Sequence, residues 1–203
     1  MKSIDNTIIN KIKKAKKGSL FFIEDFLQLG TSKAVSKALE RLVKKEELSR
    51  VARGIYARLK TDTVLGIIPP TTEEIADAVR RRDKARIIPS GALALNALGL
   101  STQVPMNLVY HTDGAARTIQ IGKRKIVFKK TAPRNLAAIG SISILAIQAL
   151  REIGKDNVTQ DEIDIILNQL EKEDPYRLQH DIKLAPEWIR IIMRQALKTE
   201  KND

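Results

Sequence analysis

Residues 31–58 constrain the fold more than any other stretch. Thr31-Ser32 is a helix-capping signal, and Val35, Ala38, Leu39, Leu42 and Val43 then recur at helical spacing. They predict a helix over about 33–45 whose other face reads Lys33, Ser36, Lys37, Glu40, Arg41 and Lys44. Two β-rich runs follow, 47–51 and 54–58, joined by the tight basic turn Ala52-Arg53-Gly54. Upstream, Ile4, Ile8, Ile9, Ile12 and Ala15 mark a first helix that ends at Lys16-Lys17-Gly18. Residues 19–22 form a short extended lead-in. A second helix, about 23–29, turns Phe26 and Leu27 inward and stops at Gly30. Three helices and then a basic hairpin is the order of a winged helix-turn-helix, with Gly30 in the turn. This module is assigned to residues 1–60.

The charge is distributed to match. The 203 residues carry a net charge of +12. Residues 1–60 hold +9 of it, residues 61–154 hold +6, and residues 155–203 hold −3. A basic excess concentrated at one end implies an acidic partner, most simply nucleic acid. Cysteine is absent, which excludes a disulfide framework and thiolate chemistry. Only His111 and His180 occur, too few for a multi-histidine metal site. No apolar run approaches the roughly 18 residues of a membrane span, and the N-terminus lacks a leader pattern. The expectation is a soluble cytoplasmic protein.

A helix fits the B-DNA major groove, and hydroxyl and basic side chains suit base edges and phosphates. The DNA-contacting set expected on this basis is Lys33, Ser36, Lys37, Arg41 and Lys44 on the helix, with Arg50 and Arg53 on the wing. The competing reading is a solvated basic face used for protein contact.

Residues 61–203 are assigned to a second, mixed domain. Residues 61–71 read as a linker, with Pro69-Pro70 forbidding helix. Thr72 opens a helix of about 72–82 that ends in Arg80-Arg81-Arg82. Arg86-Ile87-Ile88-Pro89 is a short strand, and Ser90 caps a helix of about 91–98 stopped by Gly99. Residues 107–112, 117–122 and 125–129, punctuated by Asp113-Gly114 and Gly122-Lys123-Arg124, predict a three-stranded antiparallel meander. Helices at about 141–153, 159–171, 174–182 and 186–198 complete the chain. The fold class expected is α+β, with a small antiparallel sheet and a helical C-terminus. Lys123, Arg124, Lys125, Lys129 and Lys130 form a second basic surface on the meander. It either extends the DNA face, meets RNA, or protects strand edges with lysine.

Catalytic patterns are weak. His111 and Asp113 lie two apart at a strand end, where a base and its orienting carboxylate would sit, but a hydrogen-bonded turn gives the same pattern. Asp161, Glu162 and Asp164 occupy a first helical turn, where acids favour the helix dipole. Neither a phosphate-binding loop nor a nucleophile elbow is present. Gly18-Ser19 and Gly140-Ser141 lack the paired carboxylates that a nucleotidyltransferase needs to hold magnesium. The expectation is a non-enzyme without metal or cofactor.

The central motifs are distinctive: Arg53-Gly54-Ile55-Tyr56, then Pro70-Thr-Thr-Glu-Glu-Ile-Ala76, then the run from Pro89-Ser-Gly-Ala-Leu-Ala-Leu-Asn-Ala-Leu-Gly to Val104-Pro105, and Val109-Tyr-His-Thr-Asp-Gly114. Over roughly residues 5–170 the chain resembles the bacterial DUF6088 family, related to the AbiEi-like antitoxins of type IV toxin–antitoxin systems. That resemblance implies an N-terminal winged helix that binds operator DNA and represses its own operon. It further implies a larger domain that opposes a separate nucleotidyltransferase toxin without a stable complex. A non-catalytic protein- or RNA-binding module built on the middle domain is the alternative. Within Pro89–Pro105, Ser90, Gly91, Asn96, Thr102 and Gln103 either line a pocket or shape turns and bond locally. The oligomeric state, the operator and the toxin are not encoded legibly.

Overall fold

The structure, a computed structural model, describes residues 3–199. The fold is mixed α+β, and the chain divides into two compact units. The first comprises residues 1–82 with 119–123, and the second 83–118 with 124–203.

In the first unit, Ser3 caps α1 (Ile4–Lys14) by accepting the Asn6 N–H. Strand β1 (Leu20–Phe22) leads into residues Ile23–Leu29, which form a 3-10 helix rather than the α-helix expected. The Asp25 carboxylate accepts the Phe22 N–H at 2.8 Å and fixes this tight turn. Thr31 caps α2 (Ser32–Lys44) by accepting the Ala34 N–H. Strands β2 (Leu48–Ala52) and β3 (Ile55–Arg58) reverse through Arg53-Gly54, where Gly54 takes a φ of 77° that a side chain would oppose. The sheet order is β1-β3-β2, antiparallel throughout. Beneath it Ile8, Ile12, Phe26, Val35, Ala38, Leu39, Leu42, Leu48 and Tyr56 form one buried cluster.

The boundary expected at residue 60 moves to Arg82. Residues 61–71 are more than a linker: β4 (Thr61–Asp62) and β5 (Gly66–Ile67) form a small hairpin, its turn held by Asp62 accepting the Val64 and Leu65 N–H groups. Helix α3 (Thr72–Asp83) follows, and its cap is Thr71, not Thr72. Thr71 Oγ1 accepts the Glu74 N–H while Glu74 accepts the Thr71 N–H. Arg82 explains why α3 belongs with the first unit. Its guanidinium lies 4.3 Å from the centre of the Phe22 ring on β1, a cation–π contact.

The second unit has a four-stranded sheet in the order β6-β7-β9-β8, from β6 (Ile87–Pro89), β7 (Asn107–Thr112), β8 (Arg117–Ile121) and β9 (Arg124–Lys130). The expected meander is corrected here. Strand β7 pairs antiparallel with β6 and parallel with β9, not with its sequence neighbour β8. The cause lies in Asp113-Gly114. The Asp113 carboxylate accepts the Arg86 N–H, while Thr112 Oγ1 accepts from Gly114 and donates to the Arg86 carbonyl. The turn signal therefore secures β6 beside β7 rather than closing a hairpin.

Helices α4 (Gly91–Ala97), α5 (Ser141–Ile153), α6 (Gln160–Leu170), α7 (Pro175–Ile182) and α8 (Glu187–Thr199) share one core. It includes Ala94, Leu98, Ala146, Leu150, Ile166, Leu170, Ile189 and Met193. Ser90 occupies the cap position of α4, but its side chain makes no capping bond. The N-terminus of α5 is held instead by two buried carboxylates from outside the helix. Asp181 accepts the Ile139 and Gly140 N–H groups at 2.9 and 2.7 Å, and Glu173 accepts those of Ile142 and Ser143 at 2.6 and 3.1 Å. A negative charge there satisfies orphan donors and the helix dipole together.

Candidate nucleic-acid interface

Helix α2 buries Val35, Ala38, Leu39 and Leu42, which sets the direction of every other residue on it. At 100° per residue the outermost ridge is Lys33, Lys37, Glu40 and Lys44, all exposed. Ser36 is half-buried on one flank. Arg41 lies on the other flank, and there the expected set needs correction. Its guanidinium forms a bidentate pair with Asp5 of α1, Nε to Oδ2 at 2.8 Å and a terminal nitrogen to Oδ1 at 2.6 Å. This pair holds the Asp5 carboxyl below its ordinary value, first through the hydrogen bond with Arg41. Arg41 ties α1 to α2 and is not a free cation.

Among the described residues, Lys33, Lys37, Lys44, Arg50 and Arg53 have neither an ion-pair nor a hydrogen-bond partner on their side chains. Arg50 is exposed on β2 opposite Tyr56 of β3, and Arg53 is exposed at the turn. Burial pushes the Tyr56 hydroxyl up; Arg50 opposes that shift and Glu40 adds to it. Both charges therefore act on the same hydroxyl, and the wing cation and the helix ridge lie near one another. The wing tip is rigid, because the Gly54 carbonyl accepts the Ile23 N–H. Other cations nearby serve the fold. Arg58 donates to the Lys13 and Ala15 carbonyls at the end of α1. Lys11 donates to the Asp25 carbonyl and sits 5.1 Å from the Phe26 ring centre. Sequence reading missed both Asp5 and Arg58, since their partners are 36 and 43 or more residues away.

The second basic group does not form one surface. Register pairs Asn107 with Lys125 and His111 with Lys129, so Lys125 and Lys129 share the face of His111. Arg124 and Lys130 share the opposite face with Phe128, whose ring stacks on Tyr110 at 6.0 Å. Lys123 sits exposed in the turn between β8 and β9. The His111–Asp113 pairing is not made, because Asp113 is bonded to Arg86 and His111 faces Lys129. Within the middle motif, Asn96 donates to the Ser101 and Gln103 carbonyls and holds the bend after α4 locally. The acidic group of α6 is likewise engaged: Glu162 completes a capping box with Thr159, and Asp164 accepts from Gln160. Among the described residues no group of acids and histidines is placed to hold a metal ion, and no helix is long and apolar enough to cross a membrane.

A family model matches residues 7–178, most of the chain. This chain belongs to DUF6088, a family of unknown function. None of the curated proteins matches it significantly. Among solved structures, the RV2827C protein of Mycobacterium tuberculosis is similar at 12% identity and a TM-score of 0.41, over 96% of this chain and 82% of that one. At that level the likeness carries no argument about fold or function.

Proposed function

We propose that this DUF6088 protein is a DNA-binding transcriptional regulator that acts through a winged helix-turn-helix in its first unit. The observation that carries the reading is the ridge of unpaired lysines on α2 beside the unpaired arginines of the β2–β3 wing. From Lys33 to Lys44 the helix rises about 16 Å. That exceeds the major-groove width of about 12 Å, so the end lysines meet the phosphate walls while Ser36 and Lys37 face base edges. The sheet order β1-β3-β2, with a strand ahead of the second helical segment, supports the winged form.

The antitoxin role rests on the resemblance of the central motifs to AbiEi-like antitoxins. In that reading the protein represses its own operon and counteracts a nucleotidyltransferase toxin without holding it in a stable complex. The split of the second basic group over two strand faces argues against a broad RNA surface there.

The DNA half is tested by fluorescence anisotropy on a duplex from the protein's own upstream region. The triple variant Lys33→Gln, Lys37→Gln, Lys44→Gln loses binding, whereas Lys123→Gln with Lys130→Gln keeps it. The opposite pattern would move the interface to β9. The antitoxin half is tested by co-expression with a toxin encoded beside it: growth recovers, and affinity purification retains no toxin.

A further inference from the structure

The second unit carries a cleft that the DNA-binding reading leaves unused. Its volume is about 360 Å³, within the range of small-molecule sites, and Ser90, His111, Lys129, Gln148, Arg151 and Glu152 line it. His111 and Lys129 lie side by side in register on β7 and β9, facing one way. Gln148, Arg151 and Glu152 are three and four residues apart on α5 and share one face of that helix. Gly91 permits the close approach of α4 to α5 that forms one wall, since a Cβ there would stand 2.4 Å from the Glu152 Cβ.

Three features of this cleft are unexplained by the fold. Among the described residues, Lys129 and Arg151 have no ion-pair or hydrogen-bond partner. Gln148 is only 8% exposed, yet its amide has no partner within the protein. A buried amide without a partner costs stability, and the fold would favour an apolar residue if packing were its only task. Finally, His111 is held below its ordinary pKa by burial and then by Lys129 and Arg151, with Glu152 opposing. The local potential is therefore positive, and the ring is neutral near pH 7.

We infer that this cleft binds a phosphate monoester, clamped by Lys129 and Arg151, with the Gln148 amide and the neutral His111 ring completing its hydrogen bonds. A dianion matches two cations. Its three terminal oxygens accept from a guanidinium, an ammonium and a neutral donor at once. Glu152 opposes a longer polyphosphate chain and accepts from a neighbouring hydroxyl. The monoester is supplied either by a free nucleoside monophosphate or by the 5′-phosphate end of a nucleic-acid strand.

The two histidines make the test clean. The full-length protein is titrated while the imidazole ring signals are followed by NMR. His180, 2.8 Å from the buried Asp181, reports on folding alone. The probes are inorganic phosphate, adenosine monophosphate, and a trinucleotide with and without a 5′-phosphate. The His111 signals shift saturably with the phosphorylated probes while His180 stays fixed. Lys129→Gln and Arg151→Gln each weaken binding by about tenfold or more, the loss of one charge-assisted hydrogen bond, and Lys123→Gln does not. Tighter binding of the nucleotide than of the trinucleotide assigns the site to free nucleotides, and the reverse order assigns it to strand ends. The inference is overturned if no probe shifts His111 saturably up to about 10 mM. It is equally overturned if the unphosphorylated trinucleotide does as well, or if both variants bind as the parent does.

Discussion

The outer face of α2 and the N-terminus of α5 both gather charge, and they direct it oppositely. On α2, Lys33, Lys37 and Lys44 point to solvent and touch nothing in the protein. At α5, Glu173 and Asp181 point inward, 7% and 0% exposed, and their oxygens accept backbone N–H groups. The inward pair holds a helix in place, where removing a charge unfolds the protein. The outward ridge contributes little to the fold, because isolated surface charges seldom do. The net charge of +12 is thus a coarse guide. Arg41, Arg58, Arg80, Arg81 and Arg117 are all engaged by carboxylates or carbonyls within the chain, and only the unpaired remainder is available to a ligand.

Four substitutions sharpen this contrast. The largest effect on stability is expected from Asp181→Asn, which places an amide donor against the Ile139 and Gly140 N–H groups. It should cost about 3 kcal/mol in urea unfolding, the scale of a buried charged acceptor lost from its donors. An unchanged midpoint would mean that α5 does not depend on the carboxylate. Leu39→Ala, at a fully buried site of the first unit, should cost between about 2 and 4 kcal/mol and abolish DNA binding only once the unit melts. The triple Lys33, Lys37, Lys44 to Gln variant should leave the unfolding midpoint within about 0.5 kcal/mol of the parent. Its salt slope for DNA binding, d log K/d log[salt], should shrink by nearly 3, about 0.9 for each lost phosphate contact.

The smallest effect is that of Arg41→Gln. It removes the partner of Asp5, whose pKa is lowered in the folded protein. The stability this pair contributes is fully present above the ordinary aspartate value of 3.8 and is lost as the pH falls below it through the native value. Parent and variant should therefore differ slightly at pH 7 and converge in acid. Melting curves across that range would reveal a pair without consequence if they coincide throughout.

Much of the first unit was legible in sequence because its signals are local. The stripe from Val35 to Leu42, the Thr31 cap and the Arg53-Gly54 turn each act within a few residues. What was not legible depends on partners far along the chain. Arg41 and Ser36 look alike as polar flank residues until Asp5 claims one of them. Asp113-Gly114 has the composition of a hairpin turn, and only the pairing of β6 with β7 shows that it serves another end. Lys125 and Lys130 sit in one short basic run, yet the two-residue period of a strand sends them to opposite faces. Gln148 and Arg151 carried no sequence signal toward a cleft, because the wall they face is built from strands some 20 to 40 residues earlier.

The central claim is that the outward lysines of α2 read a specific duplex. The most direct test is a titration of the full chain on its own upstream DNA and on a scrambled duplex of equal length, each at two salt concentrations. The account predicts that the upstream duplex binds more tightly at both. With about six phosphates neutralised, log K should fall against log[salt] with a slope of about −5. Equal affinity for the two duplexes, lost together as salt rises, would contradict it and leave the α2 ridge with only a general attraction to polyanions.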